Sequence, residues 1–86
     1  MVELTPSPRV VKDVKYYGWA VYEDQILSEN DELTLSEFLD VTLDQVFIVK
    51  NSNGIEVTAT ILLNVVTITS EITDTECTIF AFGRRA

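Results

Sequence analysis

Apolar and polar residues alternate with a period of two over much of the chain, most cleanly on either side of Asn53-Gly54. After that dipeptide Ile55, Val57, Ala59, Ile61 and Leu63 are apolar and are set against Glu56, Thr58, Thr60 and Asn64. Before it, Val41, Leu43, Phe47 and Val49 fall on one face of a strand ending at Lys50, and Val46 and Ile48 fall on the other. A period of two among β-branched residues predicts strands. Asn-Gly supplies the positive φ angles of a type I′ turn, so the two strands are expected to pair as a hairpin. A loop of either two or four residues pairs even with odd positions, which puts Val46 and Ile48 on one face with Val57, Ala59 and Ile61. That face is the expected core. The opposite face, with Phe47, Val49, Thr58, Thr60 and Leu62, is too apolar for open water and is the first candidate interface.

The rest of the chain keeps the same bias. Pro6 and Pro8 remove two backbone donors near the start, so residues 1–8 are expected to form an extended arm in which Val2 and Leu4 have something to bury. Val10 to Tyr22 reads as one long strand kinked at Gly18, with Val14, Tyr16, Ala20 and Tyr22 on one face and Tyr17, Trp19 and Val21 on the other. Ile26 and Leu27 continue it after a bend at Glu23-Asp24. Leu33 to Asp40 admits two readings: a short helical turn with Thr34 and Glu37 in capping-box spacing, or a strand at Leu33-Thr34-Leu35 followed by a loop. Asn64 marks a turn or bulge before a strand from Val65 to Ser70, and Cys77 to Phe82 forms a last strand. Its inward set is either Cys77, Ile79 and Ala81 or Thr78, Phe80 and Phe82, and the two phenylalanines favour the second.

Short strands separated by turn chemistry predict an all-β fold, a small antiparallel β-sandwich or barrel with an extended N-terminal arm and at most one short helical turn. The expected organisation is an arm over 1–8, a single β domain over 9–82 and a short basic tail over 83–86. Size then shapes the picture. A chain of 86 residues buries only roughly 60 to 65 % of its unfolded surface, so small domains usually lean on disulfides, metals or partners. One cysteine and no histidine leave neither an internal disulfide nor a Cys/His zinc site. Partners remain, and a content of 47 % apolar residues alongside a net charge of −8 suits a protein whose apolar faces are covered by assembly.

Candidate chemistry is sparse. Histidine, the commonest base poised near neutrality, is absent, so the chain is expected not to be an enzyme and to need no cofactor. Glu29, Asp31 and Glu32 lie in an expected solvated loop, where nothing separates one carboxyl from another. The oxygens of Glu29 to Glu37 lack the glycine and spacing of a calcium loop. Every ionisable side chain from Glu23 to Asp44 is acidic, which offers a second reading as an acidic inhibitor or adaptor filling a basic groove on a partner protein. Tyr16, Tyr17, Trp19 and Tyr22 form an aromatic concentration suited to core packing, to an interface anchor or, as a third reading, to a carbohydrate-binding module. Nucleic acid is disfavoured by the charge. The opening residues lack a basic start and an apolar run, and no apolar run approaches the roughly 20 residues of a membrane span. A soluble, cytosolic origin is therefore expected.

The segment Ile61 to Arg85, ILLNVVTITSEITDTECTIFAFGRR, resembles the closing strands of small bacteriophage virion proteins of the capsid-decoration, head-fibre or head-tail-joining type. The shared features are Asn-Val-Val-Thr-Ile-Thr, a turn rich in Thr and Asp, and an apolar strand ending in Gly-Arg. The resemblance covers the last third of the chain and implies a β-rich, symmetric, non-enzymatic oligomer belonging to a larger assembly such as a capsid, and hence a virion put together in host cytoplasm. It carries over no functional residue. From the residues themselves, the expected contact set is Val2, Leu4, Trp19, Tyr22, Phe47, Val49 and Leu62.

Overall fold

The structure, a computed structural model, describes residues 3–6, 8, 10–13, 16–35 and 41–85. Among them lie the strands β1 (Glu3–Leu4), β2 (Val10–Asp13), β3 (Tyr17–Leu27), β4 (Glu32–Thr34), β5 (Val41–Lys50), β6 (Glu56–Val57), β7 (Ala59–Leu62), β8 (Val65–Ile68) and β9 (Thr75–Arg85). They form two sheets, a four-stranded one in the order β1-β4-β8-β7 and a five-stranded one in the order β2-β3-β9-β5-β6. The protein is an all-β sandwich. Its core draws Ala20, Tyr22, Ile48, Cys77, Ile79 and Ala81 from the large sheet and Leu33, Val66 and Ile68 from the small one, closed by Leu35 and Ile72.

The long strand expected over Val10 to Tyr22 is instead two. β2 turns back on β3 with Val10 opposite Val21 and Asp13 opposite Gly18, so Gly18 is a paired residue near the start of β3 and not a kink. Folding back gives the backbone of 10–13 partners that a single strand of that length would have left unpaired at the sheet edge. Gly18, Ala20 and Tyr22 point inward and Tyr17, Trp19 and Val21 outward. Between Tyr22 and Gln25 the register against β9 slips by one, with Asp24 at a φ of 57°. This bulge reverses the facing. Leu27 is consequently buried and Ile26 exposed.

A second bulge lies in β5. Leu43 pairs with Gly83 but Gln45 with Phe82, leaving Asp44 as the extra residue. Leu43 is therefore buried, whereas Phe47 beyond the bulge faces out; strict alternation had placed both on one face. The β5–β6 hairpin pairs Ile48 with Val57 through the four-residue loop 51–54, one of the two lengths expected, and both side chains face the core as expected. Its turn is not type I′, because Gly54 alone in that loop has a positive φ, 72°, and its N–H reaches back to the Lys50 carbonyl at 2.9 Å. The type I′ geometry occurs one hairpin later. Leu63 and Asn64 adopt φ of 50° and 64° between the paired residues Leu62 and Val65, and the Asn64 Oδ1 accepts the Leu43 N–H at 2.8 Å. Leu63 has no side chain suited to this region, which costs a residue with a Cβ about 1–2 kcal/mol.

The hairpin does not continue as one ribbon. At Thr58 the chain leaves the large sheet for the small one, and the Thr58 carbonyl accepts the N–H groups of Thr69 and Ser70 at 3.0 and 3.3 Å, while the Ser70 hydroxyl accepts the Thr58 N–H at 2.8 Å. Phe47 and Val49 therefore lie on the outer surface of one sheet and Thr60 and Leu62 on that of the other, not on the shared face expected from alternation. Of the two readings of Leu33 to Asp40, the strand holds at Leu33 and Thr34; residues 36–40 lie outside the described residues. The expected basic tail is, as far as Arg85, the end of β9. Leu4 pairs in parallel beside Leu33 and packs on the protein's own core, and Pro6 is buried. These residues of the arm are thus committed to their own domain.

β9 also settles the inward set of the last strand against expectation. Cys77, Ile79 and Ala81 are buried, and Phe80 and Phe82 are exposed. Deleting buried methylenes costs the transfer energy and leaves a cavity, so Ile79→Ala should lower the unfolding free energy by about 2–5 kcal/mol. Phe80→Thr, one residue away on the outer face, should cost well under half of that; urea melts of the two variants at low protein concentration check the facing.

Candidate functional site

The outer face of the large sheet is built from three adjacent strands, β3, β9 and β5. Register places Trp19 beside Phe82 and Phe82 beside Gln45; the next row is Val21, Phe80 and Phe47, and the row after it pairs Thr78 with Val49 and Val49 with Glu56. At the other end Arg84 lies between Tyr17 and Thr42. Tyr17, Trp19, Phe47, Phe80 and Phe82 are each between 38 % and 50 % exposed. Four of these rings meet in two pairs. Tyr17 stacks on Phe82 at 5.6 Å between centroids and 21° between planes, and Phe47 meets Phe80 at 6.2 Å and 38°. Diagonal and direct cross-strand neighbours are within reach of such rings, which sets their spacing by the pleat rather than by chance.

Between these side chains lies an open trough of about 700 Å³, lined among others by Trp19, Val21, Gln45, Phe47, Phe80 and Phe82. Polar groups close both ends of the apolar strip. At one end Arg84 donates to both carboxylate oxygens of Asp44, at 2.7 and 3.0 Å, in the fork geometry that suits guanidinium and carboxylate. The β5 bulge presents Asp44 for this contact. At the other end the Asn51 amide donates to Asp24 at 2.7 Å and to Glu76 at 3.1 Å, and its oxygen accepts the Thr78 hydroxyl at 2.7 Å. This network joins the β3 bulge, the β5–β6 loop and β9.

The expected contact residues divide. Trp19, Phe47 and Val49 share this face. Tyr22 does not, being fully buried in the core, because the alternation of β3 turns it inward with Ala20. Leu4 is half-buried against its own domain, Leu62 is exposed on the other sheet, and Val2 lies outside the described residues. Phe80 and Phe82, expected inward, join this face, as does Tyr17, expected on one face with Trp19 but not among the contact residues. The signal was present in the run Cys77, Ile79, Ala81 and Gly83, which alternates with Thr78, Phe80, Phe82 and Arg84 and faces inward as a set.

Among the described residues no group of three or more His, Cys, Asp or Glu side chains is placed to hold a metal ion. The acidic stretch is not one solvated face. Asp31, expected in an exposed loop, is buried, its carboxylate accepting the Ser28 N–H at 2.8 Å and its backbone pinned to Ile68. Cys77 is buried, and that burial pushes its thiol up from the ordinary range, opposed by Lys50 and aided by Glu76. No family model matches this sequence, and neither a curated protein nor a solved structure is similar to it.

The Cys77 thiol yields a pH dependence of definite sign. Unfolded, it ionises near about 8.5; folded, it holds its proton to higher pH, so its contribution to stability is complete below about 8.5 and is lost as pH rises through the raised native value. Denaturant midpoints between pH 7.5 and 10 should therefore fall less steeply for Cys77→Ala than for the parent chain. The native thiol should also resist a thiol reagent that modifies the denatured chain at once.

Proposed function

We propose that this chain is a non-enzymatic structural protein that assembles with copies of itself, and within a larger protein assembly, through the aromatic outer face of its five-stranded sheet. The observation that carries the reading is the contiguous strip of Tyr17, Trp19, Phe47, Phe80 and Phe82, all partly open to solvent. Isolated exposed apolar residues are ordinary, but a polar-rimmed apolar patch marks an interaction surface. Five rings of roughly 200 Å² each, about four-tenths exposed, offer on the order of 800 Å² across two copies, or at most about 20 kcal/mol gross if wholly covered. Association costs about 4–15 kcal/mol. The strip can therefore sustain assembly without a strong electrostatic contribution.

The resemblance of Ile61 to Arg85 to phage virion proteins gives the direction of the larger role. That segment supplies β8 to one sheet and β9 to the other, and the setting that fits it best is a phage particle, with this chain on or joined to the capsid. The acidic-adaptor reading has less to draw on. Asp31 is buried against Ser28, Asp44 is paired with Arg84 and Asp24 with Asn51, so these carboxylates are already engaged.

Sedimentation of the purified chain over a hundredfold range of concentration tests the reading. The expected outcome is a mass above the monomer that shifts toward it on dilution, and a monomer at every concentration for Phe47→Lys, which places a charge in the strip. A chain that stays monomeric throughout, with unchanged Trp19 fluorescence, would overturn it.

A further inference from the structure

Asn53 and Gly54 close the β5–β6 loop, and every residue from Asn51 to Glu56 is exposed. Such a dipeptide joins an electrophile to a nucleophile. The side-chain amide carbon of asparagine lies one five-membered ring away from the backbone nitrogen of the next residue, and glycine has no side chain to obstruct that closure. Nothing lies within 4 Å of the place where a Cβ on Gly54 would stand, so no other part of the chain crowds this residue.

Two hydrogen bonds act on the reacting atoms in opposite senses. The Ile55 N–H donates to the Asn53 Oδ1 at 3.0 Å. The ring closed by this bond contains both Asn53 Cγ and the Gly54 nitrogen, and its donor faces the oxygen that turns negative when the nitrogen adds. Against it, the Gly54 N–H donates to the Lys50 carbonyl at 2.9 Å. A nitrogen held in this way keeps its proton, so addition waits for that one bond to open locally. The other asparagines are placed differently. Asn30, Asn51 and Asn64 precede Asp31, Ser52 and Val65, each with a Cβ. The Asn51 side chain is also held by Asp24, Glu76 and Thr78, and the Asn64 Oδ1 by the Leu43 N–H.

We propose that Asn53 is a site of spontaneous deamidation in the folded protein, gated by the hydrogen bond between Gly54 and Lys50. The Gly54 nitrogen gives its proton to hydroxide and bonds to Asn53 Cγ. The Cγ–Nδ2 bond breaks, and Nδ2 takes a proton from water and leaves as ammonia. Water then opens the cyclic imide at either carbonyl, which yields aspartate or, where the chain now runs through the side chain, isoaspartate. One neutral amide becomes one carboxylate, so a chain of net charge −8 gains a further negative charge. It does so beside the end of the aromatic strip, where Asp24 and Glu76 already share the Asn51 amide. Isoaspartate also lengthens the backbone between Lys50 and Ile55, which are joined from the Lys50 N–H to the Ile55 carbonyl at 3.0 Å. The inference is independent of the assembly reading.

The test is incubation of the purified chain at mildly alkaline pH, native and in urea, followed by anion exchange and peptide mapping. The expected product is a more acidic species with aspartate and isoaspartate at position 53 and with Asn30, Asn51 and Asn64 intact. A hydrogen bond of ordinary net strength should make the native reaction slower than that in urea by a factor on the order of ten. Gly54→Ala should convert far more slowly than the parent. So should Asn53→Gln, whose closure needs a six-membered ring; it decides the matter if Gly54→Ala, strained at a φ of 72°, fails to fold. An unchanged native chain after complete conversion in urea would overturn the proposal. Equal rates in the two conditions would remove the gate, and earlier conversion at another asparagine, or parental charge gain by Asn53→Gln, would remove the site.

Discussion

The inward facing of Cys77, Ile79 and Ala81 on β9 is the constraint on which the rest of the sandwich depends. β9 lies between β3 and β5 and pairs with both along most of its length, so its parity is transmitted to two neighbours at once. Strand side chains alternate, and a slip of one residue would turn every ring on β9 inward. The space between sheets forbids that. It is already filled by Tyr22, Leu27, Leu33, Ile48 and Ile68, and close-packed interiors do not accept two added phenylalanines without displacement. With Cys77, Ile79 and Ala81 inward the rings of Phe80 and Phe82 go out, and Trp19, Val21 and Phe47 follow by register.

Local departures from regularity then shape what that outer face can do. Bulges at Asp24 and Asp44 each insert one residue, and each delivers a carboxylate to an end of the aromatic strip, one to Asn51 and one to Arg84. Charged side chains held by partners of the same chain do not have to be desolvated unpaired when the strip is covered. The face is thus apolar in the middle, and internally satisfied at Asp24 and Asp44 where it turns polar.

Much of this was legible in the alternation of residues. The all-β class, the common inward face of Ile48 and Val57, and the outward placement of Trp19, Phe47 and Val49 all follow from a period of two and one turn signal. What could not be read had two physical causes. A bulge costs one residue and leaves no compositional mark, so Leu43 and Phe47 look equivalent in sequence although Asp44 separates their faces. A strand that changes sheets keeps its alternation, so nothing in Val57-Thr58-Ala59 reveals that Thr58 is held by Thr69 and Ser70 and that Leu62 has moved to the other side. The inward set of β9 failed for a different reason. Hydrophobicity argued for the phenylalanines, but the facing of β9 is shared with β3 and β5, which are distant from it in the chain.

The two outer surfaces differ in a way that bears on assembly. Across the small sheet the outward positions include Glu32, Thr60 and Thr67, brought side by side by register, and Glu3 beside Glu32. Hydroxyls and carboxylates of this kind remain well hydrated and, carrying like charge, discourage contact with another copy of the same face. The large sheet offers rings instead. The large sheet's rings are themselves rimmed by carboxylates, those of Asp24, Asp44, Glu56 and Glu76, whereas the small sheet sets hydroxyls and two carboxylates beside the exposed Leu62. High net charge and high apolar content thus meet on the same face, with the carboxylates at the edge of the rings and not among them.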